Sequence, residues 1–206
     1  MHQEVITLEG RKIFDKLKNF SDFYLAGGTG LALDLGHRIS VDFDFFWDKD
    51  IPEGLLSKTR KVFNGHKIEL IVDHPEQLGI LVDGISISFV RYPFPVILKL
   101  VQHSGINILS SLEIAAMKAY VLGRRAALKD YIDLYFLIKE NIGDLEDIIK
   151  LCDKKYGSQF NKKLFLEQLI YLDDIKDEEI RFLKAKVTKK QVEDFLRKEV
   201  SKIEFR

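Results

Sequence analysis

Asp83-Gly84 stands between two β-rich runs, Ile80-Leu81-Val82 and Ile85 to Val90. Asp-Gly accepts the positive φ angles of a two-residue turn whose twist matches that of the flanking strands, so the pair commits this stretch to an antiparallel hairpin. The hairpin needs further strands to cover it, and the sequence offers them upstream. Lys67 to Val72 reads as a strand, Phe23-Tyr24-Leu25-Ala26 as a short apolar one, and Val41 to Phe46 as another. Helical spacing marks Glu4 to Lys18 and Gly54 to Phe63, and Leu31 to Leu35 makes a short helix over the glycine turn. Pro93 and Pro95 close the region.

After residue 105 the character changes. Ser110 with Glu113 three residues later has the form of a capping box opening a helix through Val121. Helical patterns follow over Ala127–Lys139, Leu145–Tyr156, Lys162–Tyr171 and Lys189–Ile203, the last capped by Thr188 with Gln191. The expected fold class is therefore α+β. A mixed β-sheet flanked by helices occupies residues 1–105, and a C-terminal helical region, 106–206, packs on it and closes the cleft.

Composition removes several classes of function. Hydrophobic residues make up 46% and charged residues 31% of the 206, a globular balance rather than a disordered one. Lys plus Arg equals Asp plus Glu, 32 each, so overall charge gives no case for wholesale nucleic-acid binding. The single cysteine, Cys152, forms no internal disulfide and builds no cysteine zinc site. No apolar run approaches the ~18 residues that span a bilayer, and Met1 to Asp15 lacks the basic start and apolar run of a signal peptide. A cytoplasmic protein with no membrane partner is expected.

The chemistry concentrates in one segment, Gly27-Gly28-Thr29 followed by Asp42-Phe43-Asp44. Residues two apart on a strand share a face, so Asp42 and Asp44 point one way while Val41, Phe43 and Phe45 anchor the strand in the core. Paired carboxylates repel unless a hard cation such as Mg²⁺ or Mn²⁺ lies between them. A Gly-Gly turn lets backbone N–H groups approach an anion closely, Thr29 adds a hydroxyl, and the helix N-terminus beyond favours phosphate. A phosphate cradle beside a metal-binding pair is what handling a nucleoside triphosphate requires.

Tyr24 to Leu33, then Gly36-His37-Arg38-Ile39-Ser40-Val41-Asp42-Phe43-Asp44-Phe45-Phe46, resembles the AbiEii/AbiGii toxin family of the DNA polymerase β-like nucleotidyltransferase superfamily. The likeness continues through Glu113 to Lys118, Lys129-Asp130-Tyr131-Ile132-Asp133 and Leu169 to Asp174, nearly the whole chain. It implies a nucleotidyltransferase that moves a nucleotide from a triphosphate to an acceptor hydroxyl, with RNA a candidate acceptor, in a toxin paired with a cognate antitoxin protein. In that picture Asp42 and Asp44 hold Mg²⁺, and Gly27, Gly28 and Thr29 bind the phosphates, with Arg38 and Ser40 beside them. Lys118 offers a positive charge, and Lys129, Asp130 and Asp133 line the cleft.

One departure stands out. The superfamily commonly takes a third carboxylate from a neighbouring strand, yet the open face of Ile85 to Val90 carries Ser86 and Ser88, leaving only Glu69 on the strand before. The chain is then a weak enzyme, or a nucleotidyltransferase-fold module that binds nucleotide or a partner protein without turnover. Plain alternatives remain for the outlying residues. Lys129 and Asp133 have the spacing of a surface i,i+4 pair. Arg38 reads equally as a phosphate or RNA contact and as the partner of an acid. Arg124-Arg125 reads as a solvated turn or an RNA contact, Trp47 as packing or base stacking, and Tyr171 as core.

Overall fold

The computed structural model describes residues 1–122, 124 and 127–204. A 3-10 turn leads into α1 (Leu8–Phe14), and a second 3-10 turn, Leu17–Phe20, follows. The single N-terminal helix expected over Glu4 to Lys18 is thus three short pieces. Thr7 sets the start of α1 by accepting a hydrogen bond from Gly10 N. Then come β1 (Tyr24–Ala26), α2 (Gly27–Leu35), β2 (Phe43–Trp47) and α3 (Leu55–Val62). The sheet continues with β3 (Ile68–His74), β4 (Gln77–Val82), β5 (Ile85–Arg91), β6 (Val101–His103) and β7 (Ile106–Ile108). Among the described residues five α-helices follow: α4 (Ser111–Val121), α5 (Leu128–Lys139), α6 (Leu145–Tyr156), α7 (Lys162–Leu169) and α8 (Lys189–Glu204).

Among the described residues seven strands form one mixed sheet in the order β3-β4-β5-β2-β1-β7-β6. The β4–β5 turn takes φ +48° at Asp83 and +83° at Gly84, the paired positive angles that Asp-Gly favours. β2 runs antiparallel to β1 and parallel to β5. β7, parallel to β1, carries the sheet past residue 105 to Ile108, so the β6–β7 hairpin lies across the expected domain boundary.

Each face of the sheet has its own apolar core. Alternation on β2 sends Phe43 and Phe45 to one side, where they pack with Phe14, Phe20, Phe63 and Phe89. Tyr24 and Ala26 face the other way, joining Leu31, Leu35 and helices α4 to α8 in the second core. Val41 departs from the expected anchoring: the strand starts at Phe43, and Val41 is 49% exposed. Tyr171, expected in the core, is 46% exposed because α7 ends at Leu169, whereas Leu172 is fully buried.

Capping divides in two. Thr188 and Gln191 complete a reciprocal box, Thr188 N donating to Gln191 Oε1 at 2.8 Å and Gln191 N to Thr188 Oγ1 at 3.2 Å. Ser110 accepts from Glu113 N at 3.4 Å, but the Glu113 carboxylate does not turn back to the cap. It is buried and accepts from Ile97 N (2.9 Å), Leu98 N (2.8 Å) and Lys155 Nζ (2.6 Å). Two backbone donors and a buried ammonium outbid one exposed cap N–H, and they tie the stretch before β6 to α4 and α6.

No helix among the described residues is long and apolar enough to cross a membrane.

Candidate active site

Asp44 sits mid-row across three strands, opposite Ala26 of β1 and Ser88 of β5. Ala26 is small and leaves the carboxylate room. Ser88 Oγ donates to Asp44 Oδ1 at 2.6 Å, which fixes the side chain's rotation. The other oxygen faces Gly27: a Cβ at Gly27 would lie 2.7 Å from Asp44 Oδ2. Gly27 also has φ +63°, a left-handed conformation that L side chains rarely adopt. The helix α2 begins at this glycine, so the turn is the helix's first residue rather than a loop before it.

Gly28 is packed as tightly. A Cβ there would meet Arg38 Nη2 at 2.6 Å. Thr29 lies beneath the turn, buried, its hydroxyl hydrogen-bonded to Ser40 Oγ at 2.8 Å and to the backbone carbonyl of Asp42. It clamps the approach to β2 against α2 and does not line the cleft. Asp42, half-buried, precedes the strand, and its carboxylate takes no hydrogen bond from any described residue. Burial first, and then the nearby Asp44 carboxylate, pushes its pKa up, against the pull of Lys129 and Arg38.

The cleft has a volume of about 520 Å³, within the usual range for small-molecule sites. Gly27, Gly28, Ser40, Asp42, Asp44 and Ser88 form its sheet side, with Phe46, Val90 and Tyr92 as an apolar floor. Lys118 of α4 and Lys129 and Asp130 of α5 face them from the helical side. The residues singled out in the sequence therefore meet in one place, except Thr29 and Asp133, which are buried behind it.

Asp133 is not the surface partner of Lys129 that its spacing suggested. It is 0% exposed and gathers a set of buried donors. Arg38 grips it bidentately, Nε to Oδ1 at 2.7 Å and Nη2 to Oδ2 at 2.8 Å. His37 Nε2 donates to Oδ1 at 2.8 Å, and Lys118 Nζ lies 2.7 Å from Oδ2. Lys118 also donates to Asp130 Oδ1 at 2.6 Å. Burial alone would raise the Asp133 carboxyl, but Arg38, Lys118 and the hydrogen bonds from His37 and Arg38 hold it well below the usual carboxylate range. Burial disfavours the Arg38 charge as well, and Asp133 more than restores it. Arg38 thus pairs with an acid, and Lys118, though on the cleft wall, is committed to two carboxylates.

Asp42 and Asp44 are the acids on the sheet side of the cleft among the described residues, without the third carboxylate that the resemblance implies. Among the described residues no cluster of three or more His, Cys, Asp or Glu side chains is arranged to hold a metal. Ser88 occupies the strand-neighbour position, and Glu69 is remote: it lies on the edge strand β3, separated from β2 by both β4 and β5, exposed and paired with Lys67. The pair still suits one hard cation. Its donors are carboxylate oxygens, and burial together with the neighbouring Asp44 charge pushes the Asp42 pKa up, a cost that a divalent ion between them would relieve.

The remaining candidates have structural roles. Trp47 packs against Phe23 with ring centroids 5.2 Å apart and does not line the cleft. Arg124 lies over the Tyr120 ring, 4.1 Å from its centroid. Arg125 lies outside the described residues. Sequence reasoning missed the segment joining α7 to α8, whose Glu178 to Arg181 also line the cleft. It carries no periodicity, so only its length marks it.

The fold is that of nucleotidyltransferases. A candidate nucleotidyltransferase of Helicobacter pylori superposes with a TM-score of 0.63 at 18% identity, over 98% of this chain and 96% of its own. The nucleotidyltransferase toxin MenT4 of Mycobacterium tuberculosis gives 0.61 at 16% identity, over 92% and 81%. A relative in Aquifex aeolicus (strain VF5), known only as the uncharacterized protein aq_aa25, is 34% identical over 175 residues, 82% of this chain and 84% of its own. The model of the family described as "Nucleotidyl transferase AbiEii toxin, Type IV TA system" matches residues 70–204, a span that includes Ser88, Lys118, Lys129, Asp130 and Asp133. The chain belongs to the AbiEii nucleotidyltransferase toxin family.

Proposed function

We propose that the protein transfers a nucleotide from a nucleoside triphosphate to an acceptor hydroxyl on RNA, with Mg²⁺ or Mn²⁺ held by Asp42 and Asp44, and that it does so as the toxin partner of an antitoxin protein. The observation that carries this is the convergence of both carboxylates on a cleft bordered by the Gly27–Gly28 turn. Close backbone approach at the turn seats phosphate oxygens, and a divalent ion bound by the pair would supply the charge that steadies them. In the transfer the acceptor oxygen bonds to the α-phosphorus, the bond from that phosphorus to the bridging oxygen breaks, and pyrophosphate leaves. The acceptor's proton goes to solvent water, since the strand beside Asp44 carries Ser88 in the place of a third acid. The protein's part is to align the reactants and exclude competing water. Phe46, Val90 and Tyr92 offer an apolar bed for the nucleotide's base and sugar.

Ser88 in the place of a third acid favours a second reading, a module that binds triphosphate without turning it over. One experiment separates the two. The purified chain is incubated with Mg²⁺, total cellular RNA and each α-labelled ribonucleoside triphosphate in turn. Label should move to RNA and stop moving when EDTA removes the metal. Metal-dependent binding with no transfer would leave the second reading standing, and absence of both would end the assignment of the cleft.

A further inference from the structure

The cations lining the cleft, among the described residues, are Arg38, Lys118, Lys129 and Arg181. They are not equivalent. Arg38 has two of its donors on Asp133, and Lys118 is shared between Asp130 and Asp133. Charges so engaged hold the fold and have little left to offer a substrate. Lys129 and Arg181 form no ion pair with any described residue.

Lys129 rides on the first turn of α5. Arg181 comes from the segment 170–188, which joins α7 to α8 with no helix and only an isolated β-bridge. Irregular connections of this length inside a compact domain are uncommon, and are usually either functional or linkers. This one is fastened along the cleft. Ile39 N donates to Arg181 O at 2.9 Å, and Leu183 N to His37 O at 2.9 Å. Glu178 Oε1 accepts from Leu128 N at 2.9 Å, which ties the segment to the start of α5. Phe182 turns inward against Phe136, their ring centroids 6.3 Å apart. Arg181, beside it, is exposed and lines the cleft.

We propose that Arg181, with Lys129, receives the phosphates of the triphosphate, while Arg38 and Lys118 act as structural charges. The proposal rests on the triphosphate reading of the cleft. A triphosphate brings several negative charges towards Asp42 and Asp44, and a guanidinium with its donors uncommitted grips phosphate bidentately where an ammonium acts only as a point charge. Because Arg181 binds phosphate and not base, its contribution is the same for all four nucleotides.

The test is calorimetric binding of Mg²⁺ with ATP, GTP, CTP and UTP to the full chain. It compares wild type, Arg181→Ala, Arg181→Lys, Leu183→Ala and the Asp42→Ala/Asp44→Ala double variant, with thermal melts to establish that each is folded. Arg181→Ala should weaken binding by about tenfold for every nucleotide that wild type binds. Arg181→Lys should recover part of the loss, and Leu183→Ala, a change on the same segment away from the cleft, should bind as wild type. Binding by Arg181→Ala within about twofold of wild type overturns the proposal. So does an equal loss in Leu183→Ala, which would assign the effect to the segment's shape, or a loss confined to one base. Wild type binding none of the four ends the triphosphate reading and this proposal together. Binding that survives in the double variant and falls in Arg181→Ala removes the carboxylates' role and leaves that of Arg181 standing.

Discussion

Asp133→Ala should lower the unfolding free energy by about 3–5 kcal/mol, the usual cost of removing one partner from a buried charge network. The argument is one of orphaned groups. Asp133 accepts from His37, Arg38 and Lys118, all buried, and nothing solvates those donors once the carboxylate is gone. Lys118 keeps Asp130, so its loss is partial; Arg38 loses its bidentate partner. Urea denaturation at neutral pH measures the effect, and a loss under about 1 kcal/mol would mean that the network is solvated or redundant. A pH signature accompanies it. The folded-state pKa of Asp133 is depressed, so the stability it contributes is fully present above the ordinary aspartate value of about 3.9 and is lost as pH falls towards the much lower folded value. The gap between wild type and variant should therefore narrow at acid pH and stay constant above about pH 5.

Asp133 also marks where the sequence stops being legible. Its spacing from Lys129 is that of a surface pair, and nothing local announces that α5 will turn this carboxylate inward onto residues nearly a hundred positions earlier. Glu113 misleads in the same way: its capping position is genuine, but its carboxylate serves Lys155 and two backbone donors across the fold. Features resting on local chemistry were readable. The Asp83-Gly84 turn, the alternation of β2 and the helix spans after residue 110 all depend on neighbours a few positions away. The β6–β7 hairpin escaped because its strands, Val101–His103 and Ile106–Ile108, are too short to show alternation and are held by pairing of β7 with β1. The sequence places Thr29 at the phosphate turn, whereas it lies inside α2 with its hydroxyl turned to Ser40 and the Asp42 carbonyl, neighbours that only the fold supplies. Arg181 had no signal at all: one arginine in an aperiodic stretch gains meaning only from the carboxylates that engage its competitors in the cleft.

Asp44→Asn should separate activity from stability. The amide keeps the shape of the side chain and its place between Ala26 and Ser88, and removes only the charge. If nucleotide transfer runs through this pair, it should fall by at least about 10²–10³-fold, the range for deleting one preorganised electrostatic group from a transition state. The fold should not weaken. Asp42 is pushed up first by burial and then by Asp44, and a carboxyl raised in the folded state costs stability at neutral pH, a cost that fades as pH falls through the raised folded value and is gone below the unfolded one. Removing the Asp44 charge relieves the second cause. With Asp42 half exposed and solvent screening the repulsion, the gain is a few tenths of a kcal/mol at most. Mg²⁺ supplies the third readout. It should raise the melting temperature of wild type, by binding the folded state alone, and leave that of the variant unchanged. Transfer within about tenfold of wild type in Asp44→Asn would show that the charge is dispensable. A stability loss above about 1 kcal/mol would show instead that the carboxylate's bond with Ser88 holds the strand row together, making Asp44 part of the scaffold. The expected result, a variant at least as stable and nearly inert, is what a site produces when like charges are held together against their repulsion because the reaction needs them there.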